Sequence, residues 1–119
     1  MEKNSRQKHI VEKPWGRFEQ FTKQEPVTVK ILTINPNECL SLQYHHKREE
    51  FWKIISGEGE ITLGDSTMSA HEGDEYFIAR KQKHTIRAGK VQVRVLEISF
   101  GDFDENDIVR LEDKYNRER

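Results

Sequence analysis

The chain has 119 residues and a formal net charge of −1, which suits one domain around a single core rather than two. Hydrophobic and charged residues each make up 34% with both signs interspersed, which argues against a dedicated nucleic-acid binder, since such proteins carry a basic excess. No apolar stretch approaches the length of a membrane span, the first residues lack the apolar core of a secretory signal, and a single Cys39 cannot close an internal disulfide, so no membrane role and a cytoplasmic location are expected.

In chain order, residues 1–13 read as a mobile polar arm and residues 14–119 as a single domain. Pro14, Trp15 and Gly16 make a sharp entry with a large apolar anchor. Arg17 to Phe21 and the β-branched run Val27 to Ile34 read as strands, the second ended by the turn signal Asn35-Pro36-Asn37. From Leu40 to His46 the residues alternate, Leu40, Leu42 and Tyr44 against Ser41, Gln43 and His45, so a strand places the two sets on opposite faces. Further strands are expected at Phe51 to Ser56, Ile61 to Leu63, Tyr76 to Ala79, His84 to Arg87 and Val91 to Phe100, with turns at Gly57-Glu58-Gly59, Gly64-Asp65, Gly73-Asp74 and Ala88-Gly89-Lys90. Many short strands without amphipathic helices between them predict an all-β sandwich or barrel. Asp102 to Arg119 fits two forms, a short helix with an acidic first turn or an extended strap across the barrel, and periodicity does not choose between them.

The chemistry-bearing residues form a split set. Gln43, His45 and Glu50 lie in one stretch and His84 follows about forty residues later. Gln43 and His45, two apart on a strand, point the same way, Glu50 begins the next strand, and His84 arrives from a neighbour. Two imidazoles, an amide oxygen and a carboxylate suit one divalent ion that keeps residual positive charge and open positions. By the same reasoning His9, His46 and His71 are expected not to be ligands.

The spacing Gln43-x-His45-x4-Glu50-x6-Gly57, then Gly73-x10-His84, resembles the two motifs of the cupin superfamily. Leu40 through Trp52 resembles the "LSLQxHHHRxEHW" block of type II mannose-6-phosphate isomerases, which also form the C-terminal domain of bifunctional mannose-1-phosphate guanylyltransferases. Pro14-Trp15-Gly16 resembles that family's "RPWG", and Asp107-Ile108-Val109-Arg110 with Asp113 and Tyr115 resembles its "DIVRxxDxYGR". Val29-Lys30 and Ile78 fall where the family has "VK" and "YIP". The departures are Lys47 and Phe51 where His is common, Ala79 and Lys81 in place of Pro and Gly, and Asn116 in place of Gly; they touch the substrate rim rather than the four ligands.

The resemblance implies a cupin fold, a double-stranded β-helix or jelly-roll-like small barrel over residues 14–119 with a C-terminal strap. It implies a metal site of Gln43, His45, Glu50 and His84. The ion would be zinc foremost, with cobalt, nickel, manganese or iron as substitutes. The implied activity interconverts mannose 6-phosphate and fructose 6-phosphate through a cis-enediol. Guanylyltransferase activity is not expected, because nothing resembles the nucleotidyltransferase signature. Glu97 is the expected base, because a carboxylate inside an apolar strand is desolvated; the apolar parity switches from Val91, Val93 and Val95 to Leu96, Ile98 and Phe100, so its face stays open. Lys30 and Arg110 are selected by the resemblance for catalytic roles. Arg48, Arg80, Lys81 and Arg87 are the cations expected to meet the phosphate. A homodimer is expected, since small barrels have edge strands to hide. A cupin with another sugar-related or oxygenase activity, and a non-catalytic sugar-binding cupin, are the competing readings.

Overall fold

The computed structural model describes residues 8–113 and 115; the first seven residues of the expected arm and the departure at Asn116 lie outside them. Eleven strands and no helix are found among the described residues. No helix is therefore long and apolar enough to cross a membrane.

The chain opens with a hairpin. Strands β1 (His9–Lys13) and β2 (Gly16–Gln20) pair only with each other, across the turn at Pro14-Trp15. The end of the expected polar arm is thus a regular strand. Lys8 ties the hairpin to the body: its ammonium bonds Glu19 at 2.6 Å and Glu75 at 2.7 Å, and Lys53 reaches Glu75 at 3.1 Å.

Two antiparallel sheets follow, packed as a sandwich. The first has the order β3 (Val27–Ile34), β10 (Val93–Phe100), β5 (Glu50–Ser56), β8 (Glu75–Ile78). The second has the order β11 (Val109–Glu112), β4 (Leu42–Tyr44), β9 (His84–Ala88), β6 (Gly59–Leu63), β7 (Ser66–Ala70). Strand β7 is absent from the sequence expectation, and β11 resolves the C-terminal alternative in favour of an extended strap.

Strand periodicity sorts the interior into two halves. Ile34, Ile54, Val93 and Val95 of the first sheet face Ile61, Ala70, Ile86 and Ala88 of the second in one buried apolar cluster. Farther along the same inward rows the residues turn polar: Glu50, Glu97 and Ser99 on one sheet, His84 on the other, all buried. Trp52, fully buried, stands between the halves, its ring edge-on to His84 at 5.5 Å. The apolar half supplies the stabilising burial, and the polar half lies beside it.

A glycine is required where the β5–β6 turn passes β10. Gly57 has a φ of +84°, and a Cβ there would run into the carbonyl of Gln92.

Candidate metal centre

The polar half of the sandwich gathers His45, Glu50 and His84, whose potential ligand atoms all lie within 4.8 Å of one another. His84 opens β9 and Glu50 opens β5, so both positions are fixed by sheet pairing. His45 lies just past the end of β4. Its Nε2 is 3.5 Å from Glu50 Oε2, and that of His84 is 3.8 Å from Glu50 Oε1.

The tautomers follow from the far side of each ring. His45 Nδ1 meets the carbonyl of Asp107 at 2.6 Å and His84 Nδ1 meets that of Gln82 at 2.9 Å. A carbonyl only accepts, so both Nδ1 atoms carry the proton and both Nε2 lone pairs point into the cluster, where Arg48 Nη2 donates to that of His45 at 3.4 Å. Burial pushes both imidazoles below their ordinary pKa, which keeps them neutral as a metal requires. His84 Nε2 is buried with no hydrogen-bond partner. Such an orphan is costly in a native interior, and a cation between the two rings and the carboxylate would satisfy it. The donor set therefore fits a divalent metal.

Glu50 is wrapped by donors. Arg48 Nε donates to Oε2 at 2.8 Å, Trp52 Nε1 to Oε1 at 3.2 Å, and Ser99 Oγ to Oε2 at 3.4 Å. Burial opposes its charge, but the imidazoles when protonated, and Arg48 throughout, outweigh burial and hold the carboxyl below the usual range. Glu97 is the contrasting carboxyl. It is inward and buried, and it accepts from Trp52 Nε1 at 3.2 Å. Burial first, then the charge of Glu50, pushes its pKa up to about 7.

Sheet register places the other expected residues. Arg110, Gln43, His84 and Leu63 are successive cross-strand partners on β11, β4, β9 and β6, so they share the inward face. The Oε1 of Gln43 accepts from Ser41 at 2.9 Å. Lys30 is the partner of Glu97 on β3; its ammonium sits 4.4 Å from the Phe103 ring centre and 3.7 Å from Glu105. Arg48 also lies over that ring, at 4.5 Å from its centre. Arg80 donates to the carbonyl of Lys47 at 3.1 Å, and the N–H of Lys81 to that of His45 at 2.7 Å, which brings their loop beside the ligand loop.

Arg87 lies apart from the cluster. It is an odd number of residues from His84 on one strand, so it projects from the opposite face, is exposed, and pairs in register with Glu60. It lines an outer groove. His9, His46 and His71 are exposed and outside the cluster. Asp107 and Phe103 are the site residues that the sequence reading left without a role. The motif containing Asp107 was visible, but no spacing rule links it to His45.

The family model for the C-terminal domain of mannose-6-phosphate isomerase matches residues 1–113. The chain belongs to this family. The xanthan biosynthesis protein XanB of Xanthomonas campestris pv. campestris (strain B100) is 36% identical over 109 residues, 90% of this chain and 23% of that protein. Mannose-1-phosphate guanylyltransferase 2 of Escherichia coli O157:H7 is 34% identical over 108 residues, 89% of this chain and 22% of that protein. The chain thus spans less than a quarter of the length of these relatives. A conserved protein with a double-stranded β-helix domain from Klebsiella pneumoniae superposes with a TM-score of 0.64 at 16% identity, covering 94% of this chain and 90% of that one. The fold is that of the cupins, as the motif spacing implied.

Proposed function

We propose that this domain is a metal-dependent aldose–ketose isomerase acting on mannose 6-phosphate and fructose 6-phosphate. The observation that carries the reading is the buried His45–Glu50–His84 cluster, with its orphaned Nε2 and a near-neutral carboxyl beside it. Gln43, His45, Glu50 and His84 would hold one divalent ion, zinc foremost, with cobalt, nickel, manganese or iron as substitutes. When bound, the ion supplies Lewis acidity to the sugar O1 and O2 oxygens.

The chain's own residues do the proton work. Glu97 takes the C2 proton, the C2–H pair becomes the C1=C2 bond, and O1 takes a proton to give the cis-enediol. O2 then gives up its proton, C2=O forms, and Glu97 returns its proton to C1. A carboxyl with a pKa of about 7 suits both halves of this exchange. Trp52 fixes the orientation of both carboxyls by donating to each. Lys30 and Arg110, on the inward faces of β3 and β11, would stabilise charge on the oxygens. Arg48, Arg80 and Lys81 would hold the phosphate. We further propose a cytoplasmic location, and a homodimer because Val29 and Ile31 on the outward face of the first sheet and Trp15 at the hairpin turn present exposed apolar surface that a second copy would cover.

Incubation with mannose 6-phosphate in D2O tests the reaction type. Isomerisation through an enediol predicts deuterium at C2 of recovered mannose 6-phosphate and at C1 of the ketose. Binding of the sugar without exchange would make this a non-catalytic cupin.

A further inference from the structure

Residues 101–108 carry the chain from the end of β10 to β11 and lie against the candidate metal centre along the way. Gly101, with a φ of +90°, turns the chain out of β10. The segment then folds on itself: the N–H groups of Asn106 and Asp107 donate to the side chain and carbonyl of Asp104 at 2.9 and 3.0 Å. The Asp104 carbonyl also accepts from Arg48 Nη1 at 3.2 Å.

Asp107 touches three consecutive residues of the ligand loop. Its main-chain oxygen takes the Nδ1 proton of His45 at 2.6 Å. Its two carboxylate oxygens accept the N–H groups of His46 and Lys47, each at 2.9 Å. The residue is 8% exposed. His45 needs such a hold more than the other two members of the cluster. His84 and Glu50 sit in strands whose pairing fixes them, whereas His45 lies beyond the last paired residue of β4.

We propose that Asp107 is a positioning residue of the metal centre, presetting His45 in its loop so that Nε2 faces Glu50. The proposal rests on the metal-binding reading of His45, Glu50 and His84. It makes the C-terminal strap part of the site: the carboxylate pins the loop backbone while the carbonyl fixes the ring. Partners that orient a metal-bound imidazole are worth about 10–100-fold in metal affinity.

The test uses the full chain with Asp107→Ala, Asp107→Asn and, as a control on the same strap, Val109→Ala. Val109 pairs with Tyr44 and is half-buried, but takes no part in the His45 contacts. Zinc affinity is read by competition with a chromophoric chelator, ligand geometry by the visible spectrum of the cobalt form, and stability by urea unfolding of the metal-free protein. Asp107→Ala is expected to bind zinc about 10–100-fold more weakly with an altered cobalt spectrum. Asp107→Asn, which keeps one acceptor, is expected to fall between it and the native protein, and supplies the answer if the alanine variant does not fold. Val109→Ala is expected to lose stability while keeping native affinity and spectrum. Native affinity and spectrum in the Asp107 variants would overturn the proposal, as would affinity losses that merely track metal-free stability across all three. A native protein that binds no divalent ion would instead overturn the metal reading itself.

Discussion

His84 and Glu97 show how burial gives two ionisable groups opposite work. Burial lowers the imidazole pKa and favours its neutral form; it raises the carboxyl to about 7, where it can take up or release a proton near neutral pH. His84→Ala should therefore abolish stoichiometric metal in the purified protein, measured by elemental analysis. Glu97→Gln should keep the metal and lose turnover by about 10²–10⁴-fold, the usual contribution of a general base; unchanged turnover would remove Glu97 as the base. The same carboxyl predicts a pH dependence of metal-free stability. Its folded pKa lies above the ordinary carboxyl value of 4.5, so between the two the folded state binds the extra proton. The stabilisation is complete below the unfolded pKa and is lost as pH rises through about 7. At pH 8, Glu97→Gln should stabilise the metal-free protein by on the order of 2–3 kcal/mol, with little effect at pH 4, as read by urea unfolding. The cluster was legible because strand alternation puts Gln43 with His45 and Glu50 with Trp52. The face of Glu97 was not legible: its strand is buried on both sides, since outward Ile98 lies beside Phe51, which packs on Phe21 at 4.9 Å. A strand covered on both faces shows no clean alternation.

At the scale of elements, the site depends on how strands end and turn. Gly57→Ala should cost on the order of 2–3 kcal/mol in urea unfolding, because the added methyl meets the Gln92 carbonyl at a backbone φ that L-residues resist. Native stability in that variant would mean that the turn can move away from β10. Arg87→Ala should leave turnover within about twofold of native, since surface changes away from a site are near neutral, whereas a large loss would return Arg87 to the site. Closeness in sequence to His84 suggested a site role, but an odd spacing on one strand sends the two side chains to opposite faces. Strand β7 escaped notice because Ser66, Thr67 and Ser69 offer no apolar alternation, and an edge strand of which only Ala70 is buried needs little. Strand β11 was ambiguous because Ile108 and Leu111 have helical spacing, while the pairing with β4 that fixes it is a long-range contact.

For the whole molecule, the sandwich interior is divided lengthwise, with an aliphatic half that packs the sheets together and a polar half that gathers His45, Glu50, His84 and Glu97. Motif spacing made that plan legible, because Glu50 and His84 open strands whose positions sheet pairing fixes. The dedicated hairpin and the strap that clasps His45 were not legible, because their partners are far away in sequence. The hairpin makes a prediction of its own: Trp15, 72% exposed at its turn, should anchor a second copy, and Trp15→Ser should shift the mass measured by light scattering from dimer to monomer. The central claim is metal-dependent isomerisation, and its most direct test is a coupled assay of fructose 6-phosphate formation from mannose 6-phosphate, with zinc-loaded and chelator-stripped protein side by side. Turnover that disappears with the chelator and returns with added metal is the predicted result; no turnover with zinc, cobalt, nickel, manganese or iron would contradict it.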